Sequence, residues 1–244
     1  MNKAQFGDAI VKLIAATPSS LEDIPRIQAV IKASVGEISG DPREETEANS
    51  LMLERIVCAL LDIVEQRFGT SHVELYTKPE FINKRGSSVR VTVETPRRFG
   101  IAIGTLARGW AQVFYEICHE TVHLLNPVLD IKTTPVAALE EGIAVKFAEE
   151  MYARYITVYT GRRPSMTPLQ EPGNPWLKAF LIASKIPDEK LLLARETFGR
   201  FSTVNDPQLL MSIVNDCISP QEAHEICESF PYPENRIASV FPQS

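Results

Sequence analysis

The spacing of apolar positions divides the chain into a helical start, a short region of strand and a long helical remainder. Gln5 to about Ala16 repeats apolar residues at helical intervals, and a second such pattern follows the Thr17-Pro18-Ser19-Ser20 start signal to about Val35. The longest pattern, Glu45 to Phe68, sets Leu53, Ile56, Val57, Leu60 and Val64 on a helical repeat and meets Gly69, a suitable stop. The period then shortens to two. His72–Tyr76 and Val89–Glu94 alternate and predict strands, and Phe99–Ile103 predicts a third after the Thr95-Pro96 turn. Leu106–Leu125 is apolar and too long for a strand, so it predicts a helix ended by Asn126-Pro127. Another helix runs from near Pro135 to about Ile156. Gly161, Pro164, Pro168, Pro172 and Gly173 predict a long surface loop or linker over residues 160–174. Helices over Pro175–Ser184, Asp188–Phe201, Asp206–Val214 and Pro220–Ser229 each begin near a Pro or Asp, and Phe230-Pro231-Tyr232-Pro233 is an extended tail. The class is α+β, mostly helical.

Composition narrows this picture. A chain of 244 residues allows one domain or two small ones, and 44% hydrophobic with 23% charged residues excludes wholesale disorder. The formal net charge of −6 argues against a nucleic-acid partner, whose binding face is usually basic. No apolar run approaches the roughly 18 residues that a membrane helix needs. Asp8 and Lys12 interrupt the first apolar stretch, which reads as an amphipathic helix rather than a secretory signal. Cys58, Cys118, Cys217 and Cys227 form no C-x-x-C pair and are expected to be thiols of a reduced, cytoplasmic protein.

Two of the four histidines lie within the helix predicted over 106–125, as His119-Glu120-Thr121-Val122-His123, an H-E-x-x-H. Side chains four apart share a helix face, about 5–6 Å between Cβ atoms, so both imidazoles can reach one zinc ion. Glu120 is rotated off the ligand axis yet stays beside the metal, where it can take a proton from bound water. The competing explanation is a pair of satisfied core histidines on an apolar helix. Helical placement, and the use of half the chain's histidines at this spacing, favour the metal.

A catalytic zinc needs a third protein ligand. A third His six residues after His123 is absent, because Leu129 stands there, and Asn126 replaces the accompanying Gly. His72 and His224 follow no pattern. Glu140-Glu141 on the next helix offers a carboxylate, although two acidic residues in a helix's first turn are also favoured by the macrodipole.

At His119-Glu120-x-x-His123 followed by Glu141-Gly142-x-Ala144, the chain resembles the gluzincin superfamily of zinc metallopeptidases. The resemblance covers His119 to about Met151. In that group the glutamate ligand follows after about eighteen or nineteen residues; here 17 separate His123 from Glu141 and 16 separate it from Glu140. The E-G-x-A register selects Glu141, with Glu140 as the alternative.

The resemblance implies a compact zincin-like fold: a small twisted mixed sheet with a backing helix and an active-site helix, then a helical C-terminal lobe. It divides the chain into a helical extension (residues 1–40), an α/β lobe (41–130) and a lobe carrying the third ligand (131–244). The extension is expected to dock on the core rather than cap the cleft. The resemblance also implies a peptide or protein substrate, Zn2+ held by His119, His123 and Glu141, and Glu120 as the proton acceptor. An oxyanion donor would come from Tyr152, Tyr155, Tyr159, Tyr232 or His224, with His224 preferred. An Asp supporting a ligand His in thermolysin-like sites is replaced here by Val145, so that support must come from elsewhere. The strand before the motif helix is expected to form the cleft rim and pair with the peptide at Ile101 and Ala102. Other functions compatible with the residues are a non-catalytic, peptide-binding zinc protein and a zinc hydrolase of a non-peptide amide. Glu120 favours catalysis, because metal binding alone does not require it. Oligomeric state is not encoded in these features.

Overall fold

A computed structural model describes residues 1–18, 23–131 and 133–232. Nine helices and a three-stranded mixed sheet make up the described residues: α1 Lys3–Ala15, α2 Ile24–Ser34, α3 Glu47–Phe68, β1 Glu80–Phe81, β2 Ser88–Glu94, β3 Arg97–Ile103, α4 Gly109–His123, α5 Ala138–Tyr152, α6 Pro175–Ala183, α7 Asp188–Phe198, α8 Pro207–Val214 and α9 Pro220–Cys227. The start signal expected at Ser19-Ser20 and the tail position Pro233 lie outside the described residues. Among the described residues, no helix is long and apolar enough to cross a membrane.

Local chemistry explains most boundaries. Asn2 and Gln5 form a reciprocal capping box on α1, and Thr46 accepts from the Asn49 amide at the start of α3. Gly69 ends α3 at φ +86°, a conformation that disfavours side chains. One large cluster of buried apolar side chains joins residues from α1 to α9. Phe6 of α1 is buried against Trp110 with ring centroids 4.8 Å apart, so α1 docks near the start of α4. Among the described residues, none of the first 40 lines either of the two principal cavities.

The sheet order is β1-β3-β2, with β1 parallel and β2 antiparallel to β3. This corrects the expected role of the strand before the motif helix. β3 has neighbours on both sides, and Ile101 and Ala102 are buried, so neither is an open rim. Among the described residues the edge strands are β1 and β2. The strand expected at His72–Tyr76 shortens to a single parallel bridge, Leu75 to Phe99, fixed by the Tyr76 amide donating to the Phe99 carbonyl at 2.7 Å.

α4 lies between α3 and α5, and α5 packs in turn on α6. α5 starts three residues later than its apolar pattern because Val136 and Ala137 are extended. The Phe230 amide donates to the Val136 carbonyl at 2.7 Å, and the Ala138 amide to the Glu228 carbonyl at 2.9 Å. Beyond Tyr152 the helix continues as a π-helical segment, Ala153–Thr157, and a last turn, Val158–Thr160. The segment expected to be a surface loop is one, largely exposed over 161–173, and is tied to the core at two points: Gln112 donates to the Met166 carbonyl at 3.0 Å, and buried Thr167 bonds to Glu149.

Arg195 of α7 staples the far end of the motif helix to α3. The residue is 5% exposed, and its guanidinium donates to the carbonyls of Phe68 (2.5 Å), Thr70 (2.8 Å) and Leu125 (3.5 Å). Hydrogen bonds from a charged donor contribute roughly 1.5–3 kcal/mol each, and their buried acceptors would be stranded without it. Arg195→Ala is therefore expected to lower unfolding free energy by about 3 kcal/mol in urea denaturation. A loss under about 1 kcal/mol would show that other donors replace the guanidinium.

Candidate metal centre

α4 projects His119 and His123 from one face, as their four-residue spacing requires. α5 crosses beside it and brings Glu141 against both rings. The facing nitrogens, His119 Nε2 and His123 Nε2, are 3.3 Å apart. Glu141 Oε2 is 3.4 Å from His119 Nε2, and Glu141 Oε1 is 3.5 Å from His123 Nε2. Among the described residues these three form the group of side chains able to hold a metal. The spacing suits zinc: bonds of about 2.0–2.1 Å in a tetrahedron put ligand atoms about 3.3–3.4 Å apart.

The register that places Glu141 depends on Gly142. A Cβ there would lie 2.5 Å from the Ala179 carbonyl oxygen, so only glycine permits α5 and α6 to approach this closely. The E-G-x-A pattern thus has a packing cause in this chain.

Glu140, the alternative ligand, takes another position. Its Oε1 is 2.8 Å from His123 Nδ1, on the side of the ring away from the facing nitrogens. One residue of helical rotation separates the two glutamates, and it carries Glu140 around the imidazole. A carboxylate accepts, so Nδ1–H donates to Glu140 and Nε2 is the ring nitrogen left facing His119 and Glu141, where a metal would replace its proton. Glu140 supplies the support for a ligand His that Val145 does not. The adjacency of two acidic residues was the available sequence signal, but their separate roles depend on where α5 crosses α4.

Glu120, Glu140 and Glu141 are 3%, 4% and 2% exposed. Buried carboxylates are costly unless they are paired or coordinate a metal, so this donor set fits a divalent cation. Burial pulls the His123 imidazole down, yet the charge of Glu141 and the contact with Glu140 outweigh it and lift its pKa to about 10. Burial likewise pushes Glu141 up, but His123, His119 and the Tyr232 hydroxyl together hold it well below the usual carboxylate range.

Both Glu141 oxygens receive a further donor. The Trp176 indole N–H donates to Oε2 at 2.5 Å, and the Tyr232 hydroxyl donates to Oε1 at 2.5 Å. Trp176 carried no recognisable sequence signal. Tyr232 stands among the oxyanion candidates and is brought to the site. Tyr152, Tyr155, Tyr159 and His224 line neither principal cavity. His224 is exposed on α9, whereas Tyr155 is buried and Tyr152 stacks edge-on against Tyr115. The preference for His224 is not supported: its helix turns the ring toward solvent.

His119, Glu120, His123, Glu140, Glu141 and Tyr232 share a small chamber of about 80 Å3 with Ser87, Ser88 and Val89 of the β2 region. His119 and Gly86 also line a larger cavity of about 910 Å3, walled by Arg85, Tyr115, Glu116, Met166 and Trp176. A chamber able to hold an ion thus borders a cleft of ligand size. Compared with known protein families, characterised proteins and solved structures, the chain matches none.

Proposed function

We propose that the chain is a zinc-dependent metallopeptidase of the gluzincin type. The carrying observation is the arrangement of His119, His123 and Glu141 at 3.3–3.5 Å around one point, with buried Glu120 on the wall of the same chamber. The order of elements supports a zincin-like fold: the long helix α3, the sheet, the motif helix α4, then α5 with the third ligand. The larger cavity is walled by residues 85–119 and 165–176, as expected for a cleft between the 41–130 and 131–244 lobes. Four free cysteines support a reducing, cytoplasmic location.

His119, His123 and Glu141 would hold the ion. When bound, zinc supplies Lewis acidity, lowering the pKa of a water ligand to about 7 and polarising a carbonyl. Glu120 accepts the proton of the attacking water on its carboxylate and returns it to the departing amine. Glu140 keeps the His123 ring in the tautomer that presents Nε2. The peptide occupies the larger cavity, and its main chain pairs with the open edge of β2, whose Ser88 and Val89 line the chamber. Tyr232 is assigned to Glu141 rather than to an oxyanion, since its hydroxyl already rests on that carboxylate.

Purified protein reconstituted with one equivalent of zinc is expected to cleave members of a mixed peptide library, followed by mass spectrometry. Phenanthroline should abolish cleavage, and added zinc should restore it. Stoichiometric zinc with no cleavage of any peptide would favour the non-catalytic zinc protein.

A further inference from the structure

The structure assigns Trp176 the role of a positioning residue for Glu141: its indole N–H, on the neighbouring helix, fixes the orientation in which that carboxylate meets a metal. This rests on the reading of His119, His123 and Glu141 as ligands. An indole N–H only donates, and a bond to an ionised acceptor is about twice as strong as one between neutral groups. At 2.5 Å from Glu141 Oε2, with Trp176 9% exposed and Glu141 2% exposed, this bond has little water to compete with it.

Three features hold the indole in place. Asn174 caps α6 by accepting from the Trp176 amide at 2.9 Å, and Pro175 presets the first helical turn. Gly142 allows α6 to lie against α5 next to the glutamate, with the Ala179 carbonyl where a Cβ would otherwise be. Phe230 packs edge-on against the indole with centroids 4.6 Å apart. Trp176 also lines the larger cavity, so a ligand there touches the residue that orients the third ligand.

Trp176→Phe keeps an aromatic ring against Phe230 and deletes the donor. Zinc affinity, measured by competition with a chromophoric chelator, is expected to fall about 10–100-fold, the usual effect of removing a partner of a metal-ligating side chain. Phe230→Leu disturbs the same packing without touching the donor, and should change affinity less than threefold. Equal losses in the two variants, or an unchanged affinity in Trp176→Phe, would overturn the assignment.

A second measurement needs neither zinc nor a folded Trp176 variant. The chain has two tryptophans, so two indole N–H signals appear in a proton–nitrogen correlation spectrum. Glu141→Gln is expected to move the Trp176 signal upfield and leave that of Trp110, which donates to the Ser39 carbonyl, in place. A Trp176 signal indifferent to Glu141→Gln would overturn the hydrogen bond itself. Wild-type protein that takes up no zinc while its indole signal responds would instead overturn the metal reading.

Discussion

Glu120→Gln is expected to retain one zinc per chain and to lose about three orders of magnitude in kcat. General acid–base catalysis by one positioned side chain is worth about 10²–10⁴-fold, and the amide is nearly the same size as the carboxylate but cannot accept the proton. The loss should fall on kcat rather than KM, because Glu120 acts on the reacting water and not on the distant parts of a peptide. Steady-state kinetics and metal analysis on the same preparations check both halves. Loss of zinc together with activity would make Glu120 a ligand or a structural residue. Full activity would assign the proton transfer to another group.

His123→Ala is expected to abolish stoichiometric zinc binding at micromolar concentrations. Structural zinc sites release about 10–16 kcal/mol over four ligands, so one ligand is worth roughly 3 kcal/mol, or about two orders of magnitude in affinity. The true loss should be larger here, because His123 is also the partner of Glu140, at 2.8 Å and almost wholly buried. Without the imidazole that carboxylate stands unpaired, and stranding a buried charge destabilises by about 3–5 kcal/mol. Isothermal titration and thermal unfolding of the variant separate the two effects. Glu140→Gln, which keeps a hydrogen-bonding group on Nδ1, should fall between the parent and His123→Ala. Parent-like zinc affinity in His123→Ala would place the metal elsewhere.

How much of this was legible in the sequence depended on whether the cause was local. The helical repeat of Glu45–Phe68 and the alternation of Val89–Glu94 are local signals, and α3 and β2 appear almost where those patterns lie. His119 and His123 share a helix face by periodicity alone. His72–Tyr76 alternates equally well, yet it forms a single bridge, because a strand needs a partner and Phe99 offers one only at Leu75. β1 is two residues long behind Pro79 and leaves no periodic trace.

The surroundings of the ligands were the least legible part. Whether Glu140 binds a metal or supports His123 turns on how α5 crosses α4, and no spacing along one helix encodes that. Trp176 comes 35 residues after Glu141 and Tyr232 91 residues after it, and each reaches the carboxylate through tertiary packing. The segment at 160–174 carries the turn residues of a loop. Its inward tie through Gln112 and Thr167 requires partners on α4 and α5 that composition does not reveal.

His119, His123 and Glu141 are expected to bind one zinc ion. Zinc-edge X-ray absorption of the reconstituted, desalted protein reads that ligand set. The expected spectrum shows two imidazoles with oxygen ligands at about 2.0–2.1 Å and no sulfur shell. A shell at about 2.3 Å would mean thiolate ligation by the cysteines, and protein that emerges without zinc would have no such centre; either result would rule out a zinc site built from His119, His123 and Glu141.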